Sequence, residues 1–447
     1  MRINLYKIAL LGAVLLAIFQ TGCKKDHIKD PEFGTGDYPR IYDETNTFFS
    51  PIRVISMGET TSYNNLSYSP AGKVKIAWKV DDEVKSADTA FSFTPTTGGE
   101  FTISLEVAFN GLKSTRSSKV LVKPDTYTLK PYDKVVLAYL SENGTAAAID
   151  FETITHVACQ YGRVAADGGL DVSAGESNSK TDEVVARAHL AGRQALLGIA
   201  GRLSGMDGWA LYGASDFGDA IRKSDMRAIL VANIKAYVTA KKLDGVDIMM
   251  SDINVDPYIP HLTSLPAFIS ELKAALPADA LITVTVAPSW QHWSYPDLSA
   301  ADWVHVRAFE DGLHVGEHVP RGQPSGFDYM KTAADIWKNF HLPAEKIVIG
   351  IPAFGLRYNE IDDEGNNLGW GSYDYITFKN ILELDPTAGG KEKIDHAFGV
   401  YYNGVPLVKQ KAEYIKTSSF KGAYLWAADY DIKGDGSLLK TMYTALK

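Results

Sequence analysis

The chain has 447 residues, 45% hydrophobic and 22% charged, a composition that suits a folded globular protein with room for two or three domains. A net charge of −9 with no basic stripe excludes a nucleic-acid partner, because phosphate binding needs concentrated Lys and Arg. Aromatic residues reach 11%, with 23 Tyr and 8 Trp, which offers flat apolar surface for carbohydrate rings but is equally common in β-rich domains.

In chain order, residues 1–22 read as a targeting signal. Arg2 and Lys7 precede an apolar run over 8–19, too short to span a bilayer. Gly22-Cys23 followed by Lys24-Lys25-Asp26 resembles a lipoprotein cleavage site, with Gln20 where such sites carry an aliphatic residue. That resemblance implies lipidation at Cys23 and attachment to a bacterial outer membrane, facing the cell surface; an ordinary secretory signal is the alternative. Residues 23–40, rich in Lys, Asp, Gly and Pro, read as a polar tether. After Cys23 only Cys159 remains, so the fold must rest on packing rather than a disulfide, with Cys159 a small core residue.

Residues 41–124 alternate apolar and polar over 74–80, 91–93, 101–107 and 118–122, with turn signals at Asp81-Asp82, Gly98-Gly99 and Asn110-Gly111. Short strands at this spacing predict an antiparallel sandwich. With Trp78 and Gly99-Glu100-Phe101, the segment resembles immunoglobulin-like PKD modules of bacterial surface proteins, which implies a spacer.

From residue 134 the pattern becomes buried apolar runs alternating with helical stretches. The runs are 134–140, 155–161, 194–200, 245–250, 281–287, 303–309, 346–352 and 422–427; helices are expected over 181–190, 224–242, 265–275 and 329–339. Eight strands alternating with helices over 134–447 predict an α/β (β/α)₈ TIM barrel behind the smaller N-terminal β-sandwich. No Gly-rich phosphate fingerprint follows the first run, which removes a dinucleotide fold.

Three segments carry a specific resemblance. Residues 346–355, reading KIVIGIPAFG, and 422–431, reading GAYLWAADYD, are similar to the seventh and eighth strands of family 18 chitinases and endo-β-N-acetylglucosaminidases. Asp244-Gly245-Val246-Asp247 is similar to the start of that family's fourth-strand signature, Asp-Gly-x-Asp-x-Asp-x-Glu. The resemblance implies a site at the C-terminal rim of the barrel, floored by Trp426. There a strand-four Glu protonates the leaving oxygen while the substrate's acetamido group attacks.

The signature is incomplete. Met249 stands at the third carboxylate position and Ser251 at the acid, and a hydroxyl is far too weak an acid for the role. The sixth-strand Met-x-Tyr-Asp becomes Arg307-Ala308-Phe309-Glu310, and the third-strand Ser-x-Gly-Gly becomes Gly198-Ile199-Ala200-Gly201. Asp244, Asp247, Met249 and Ser251 therefore read as a vestigial row with no catalytic residue, and Asp247 is expected to pair with Arg307. Glu310 and Asp252 are the carboxylates that could serve as a relocated acid.

His314-Val315-Gly316-Glu317-His318 matches an inverted zinc-protease pattern, but Gly312, Gly316 and Pro320 oppose the helix that pattern needs, so neither metal nor cofactor is expected. Ligand contacts are assigned to Trp426, Asp247, Phe309, Glu310, Arg307, Tyr139, Trp290 and Trp293, with Trp209 and Trp370 as further rim aromatics. Trp303 and Trp337 are expected in the core. The expected function is non-hydrolytic capture of N-acetylglucosamine-containing glycans at the cell surface, with glycan-uptake proteins as partners. The alternative is an active chitinase or endo-β-N-acetylglucosaminidase.

Overall fold

The computed structural model describes residues 38–46, 48, 52–173, 177–201, 214–249, 259–287, 292–310, 312–340 and 342–447. The targeting signal, Cys23 and most of the tether lie outside the described residues, as do Trp209, Ser251, Asp252 and Trp290. The chain divides into two compact units. One is built mainly from residues 62–93 and 102–119, the other from 120–447 with 52–61 and 94–101.

In the first unit, alternation makes strands because every second side chain can be buried. Ile103, Leu105 and Val107 face the core from the strand Gly99–Phe109, while their neighbours stay partly solvated. Lys75–Val80, Glu83–Ser86, Gly99–Phe109 and Leu112–Lys123 belong to one five-stranded sheet. Asp81 and Asp82 have φ of 46° and 68°, and Asn110 and Gly111 have 49° and 82°, the paired left-handed conformations of tight hairpin turns. Trp78 is fully buried between Tyr63 and Phe91, with ring centroids at 5.5 and 5.4 Å, and its indole N–H donates to Asp88 O at 3.0 Å.

The second unit is a closed barrel of eight parallel strands. They are β1 (Val135–Leu140), β2 (His156–Val164), β3 (Gln194–Ala200), β4 (Gly245–Met249), β5 (Leu281–Val286), β6 (Trp303–Val306), β7 (Ile347–Pro352) and β8 (Gly422–Trp426). β1 pairs with both β2 and β8, which closes the ring. Helices α1 (Ser177–Leu190), α2 (Ala214–Arg222), α3 (Ser224–Lys241), α4 (Leu265–Ala275), α5 (Phe327–Asn339), α6 (Val405–Thr417) and α7 (Leu438–Leu446) accompany the strands. Because each strand is covered on both faces, it reads as a near-continuous apolar run. Outward-facing residues such as Val157, Cys159, Leu197, Val246 and Ile248 join one core cluster, and inward-facing residues join a second.

Between β7 and α6 lies an insertion. Its four-stranded sheet has the order Tyr373–Thr377, Phe354–Tyr358, Val400–Tyr402, Lys393–Ile394, and the helix Phe378–Leu384 follows the first of these strands. No element was expected over this stretch.

Candidate functional site

Parallel strands gather their C-terminal ends at one mouth, and alternation decides which side chains face the axis. On β4 these are Asp247 and Met249, as the sequence predicts. Tyr139 on β1, Thr283 and Thr285 on β5, Trp303 and His305 on β6, and Tyr424 and Trp426 on β8 face the same interior.

Asp247 is fully buried and fully engaged. Thr283 donates to its Oδ1 at 2.6 Å and Thr285 to its Oδ2 at 2.9 Å; the Tyr139 hydroxyl also donates to Oδ2, and His305 Nδ1 lies 3.0 Å from Oδ1. Trp303 Nε1–H donates to His305 Nε2 at 2.8 Å, which leaves the imidazole proton on Nδ1, facing the carboxylate. Burial pushes the Asp247 pKa up, but the His305 ring and the hydrogen bonds from His305, Thr283 and Tyr139 outweigh it and hold the carboxyl below its usual range. Burial, reinforced by the Asp247 charge, pushes the Tyr139 hydroxyl well above the ordinary phenol value. Asp247 thus ties β4 to β1, β5 and β6.

The expected Asp247–Arg307 pair is not formed. β6 ends at Val306, and Glu310 adopts a left-handed φ of 63°, so Arg307 forms its ion pair with Glu310 instead. The Arg307 guanidinium lies 5.2 Å over the Phe309 ring, and Tyr375, from the insertion, donates to Glu310 Oε1 at 3.2 Å. His305, on the inward register of β6, takes the place expected for Arg307. The run 303–309 shows Trp303, His305 and Arg307 at alternate positions, so His305 was legible as inward-facing; Thr283, Thr285, Tyr375 and Tyr424 were missed as well.

Asp244 does not join Asp247. It sits just before β4, at the opposite end of the barrel, where it accepts from the Tyr127 hydroxyl at 2.7 Å and the Ala195 N–H at 2.7 Å, with His189 Nε2 at 2.9 Å. Two members of the expected row therefore serve as structural ties.

Other inward-facing residues pack on one another. Tyr139, Met249, Phe309, Tyr424 and Trp426 belong to one cluster, and Met249 and Trp426 are each 3% exposed and Phe309 2%. Tyr139 packs on Trp426 with centroids 5.0 Å apart, and Tyr424 is 5.1 Å from Tyr139. Gly350 on β7 makes room for this: a Cβ there would stand 2.6 Å from the Tyr424 hydroxyl and 2.9 Å from Phe309 Cε1. Trp426, the expected floor residue, lies in this cluster with its indole against Tyr139. The peptide bond Trp426-Ala427 is cis.

At the rim, Glu310 keeps a quarter of its side chain exposed, and Trp293, on the short turn His292–Ser294, is 54% exposed. The segment holding His314 and His318 is not helical. His314 Nδ1 contacts Pro320 O at 2.8 Å and His318 Nδ1 contacts Asp362 at 3.1 Å, so the two rings do not share a ligand position. Among the described residues no group of three or more His, Cys, Asp or Glu could hold a metal ion. Trp303 and Trp337 are buried, as expected.

The model of the glycosyl hydrolases family 18 matches residues 135–431. An endochitinase of Brugia malayi is 26% identical over 142 residues, a stretch that covers 27% of this chain and only 28% of that protein. The solved structure of a chitinase from Bacteroides thetaiotaomicron superposes with a TM-score of 0.57 at 23% identity, covering 70% of this chain and 97% of the other. That of a chitinase-like agglutinin from Robinia pseudoacacia superposes with a TM-score of 0.57 at 17% identity, covering 70% and 99%. With eight parallel strands closed into a barrel and two thirds of its length matched by the family model, the chain belongs to glycosyl hydrolase family 18.

Proposed function

We propose that this protein binds N-acetylglucosamine-containing glycans at the rim of the barrel and does not hydrolyse them. The observation that carries the reading is the lost acid row: Met249 stands where a carboxylate is expected and packs with Phe309 and Trp426, each no more than 3% exposed, in one hydrophobic cluster. Chemistry points the same way. Asp247 is buried among its own donors, and Glu310 is engaged by Arg307 and Tyr375, whereas a general acid must be free to reach the leaving oxygen. The rim keeps what a sugar chain needs, an exposed indole at Trp293 and polar groups at Glu310 and Tyr375. The likeness to an agglutinin of the same fold is consistent with binding without turnover.

We read Cys23 as the lipid attachment point, the N-terminal sheet domain as a spacer, and the outer-membrane surface as the place of work, with glycan-uptake proteins as partners. Cys23→Ala should release the protein from the membrane fraction with its barrel folded; continued association without detergent would sink the anchor. The functional test pairs a glycan array with incubation on chitooligosaccharides and a high-mannose N-glycan. Binding without product is expected. Turnover that disappears in Glu310→Gln or Asp252→Asn would establish a hydrolase with a relocated acid.

A further inference from the structure

Two loops that no element of the barrel requires are stitched together beside the mouth. One, 312–322, follows Glu310; the other, 366–372, leads into the insertion strand whose Tyr375 donates to Glu310. Asn367 is fully buried and joins them. Its Nδ2 donates to Gly316 O and, at 2.8 Å, to Gly369 O, while its backbone N–H donates to Val319 O at 3.0 Å and its carbonyl accepts from His318 N at 2.9 Å. His318 Nδ1 contacts Asp362, and Ser372 N donates to Gly369 O at 3.1 Å. Asn367 Oδ1 is buried and finds no partner among the described residues, which marks the junction as polar rather than apolar in character.

On this pinned support stands Trp370, 62% exposed, although a large aromatic ring normally gains by burial. Its Cη2 and Cζ2 lie 3.9 Å from where a Cβ on Gly316 would stand, and Gly316 has φ of 153°, so the ring rests on bare backbone. On the neighbouring loop the exposed Glu317 side chain places Oε1 4.0 Å from the corresponding Cβ position on Gly369, the residue before Trp370. An exposed indole face and an exposed carboxylate acceptor on the two joined loops match a pyranose, which offers an apolar face of C–H bonds and an edge of hydroxyl donors. A protein partner would need a contiguous patch approaching ~1,000 Å² in total, whereas the apolar groups here are a few side chains interrupted by glycines and acidic residues.

We propose that Trp370 and Glu317 form a built pyranose subsite beside the barrel mouth, and that the sequence His314–His318 serves as its support and not as a metal motif. The proposal rests on the glycan-binding reading above and assigns that binding to named residues. Asn367 is a positioning residue for the subsite, since it holds the two loops in register without facing the ligand.

The test is calorimetric titration of the full chain with tetra-N-acetylchitotetraose. Trp370→Ala should weaken binding tenfold or more and Glu317→Gln about threefold to tenfold, while Trp370→Tyr should stay within about threefold of wild type. Because Trp370 and Glu317 lie at the surface, melting temperatures should be unchanged, which separates lost contact from lost fold. Addition of the sugar should also perturb tryptophan fluorescence in wild type but much less in Trp370→Ala. Wild-type affinity retained in Trp370→Ala, with the loss appearing in Trp293→Ala instead, would overturn the subsite and leave the glycan-binding reading standing. Failure of the wild-type protein to bind this or any arrayed glycan would remove the parent reading, and the subsite with it.

Discussion

A carboxylate removed from water has to be met by donors or it will not stay ionised, and the interior of β4 contains one such position, not two. Asp247 has Thr283, Thr285, Tyr139 and His305 around it, whereas Met249, two residues on, lies in the hydrophobic cluster with Phe309 and Trp426. Met249→Asp, alone or together with Ser251→Glu, should therefore fail to restore cleavage. It should cost at least about 3 kcal/mol of stability, as an unpaired buried charge does, measured as a fall in the urea midpoint. An unchanged midpoint with measurable chitooligosaccharide release would refute the packed-cluster account. His305 matters for the complementary reason. His305→Leu withdraws a donor from Asp247 and leaves the Trp303 indole N–H without its acceptor, so a loss of about 3 kcal/mol is expected. A cost below about 1 kcal/mol would mean that the pair contributes little.

At the scale of elements, the chain end is held by one buried carboxylate. Asp431, 8% exposed, follows β8 and accepts from Ser437 Oγ at 2.8 Å, Leu438 N at 3.1 Å and Leu439 N at 2.9 Å, so it satisfies orphan N–H groups at the start of α7. Burial raises its pKa against the pull of those hydrogen bonds. Helix α7 packs its Leu438, Leu439, Met442 and Leu446 into the outer core. Asp431→Ala should cost about 1–3 kcal/mol and speed amide exchange in α7 before the rest of the barrel. Uniform exchange across the barrel would show that α7 does not open separately.

For the whole molecule, acid stability should carry the mark of one buried imidazole inside the barrel, towards the base. His156 is fully buried, with Thr155 Oγ1 at 2.7 Å from Nδ1 and Gln194 Oε1 at 3.1 Å from Nε2, and burial pushes its pKa down to about 3. Its folded pKa lies below the unfolded value near 6.5, so the unfolded state binds the proton more tightly. The stabilisation from the neutral ring is complete above about pH 6.5 and declines as pH falls towards 3, by up to about 1.4 kcal/mol per pH unit. Denaturant titrations at pH 7 and pH 5 should show this loss in wild type and a smaller one in His156→Asn. Equal losses in the two proteins would mean that His156 does not titrate as its burial dictates.

The sequence by itself determined the barrel. Buried parallel strands must read as apolar runs, and turns need residues that tolerate positive φ, so both β4 and the Asn110-Gly111 hairpin were visible as patterns. It also determined which β4 residues face the axis, because strand alternation leaves no choice once the strand is set. The insertion at 354–402 was not legible, since its strands are short and pack on elements distant in sequence. Partner choice was decided only by tertiary structure. Asp247 could have met Arg307 until β6 ended at Val306 and the chain turned at Glu310, which delivered His305 to one carboxylate and Arg307 to the other. Which side chains share the barrel interior was likewise a tertiary matter. Met249, Phe309, Tyr424 and Trp426 come from two strands, β4 and β8, and the loop after β6, and only the tertiary fold brings them into one cluster, with Phe309 and Tyr424 meeting over Gly350.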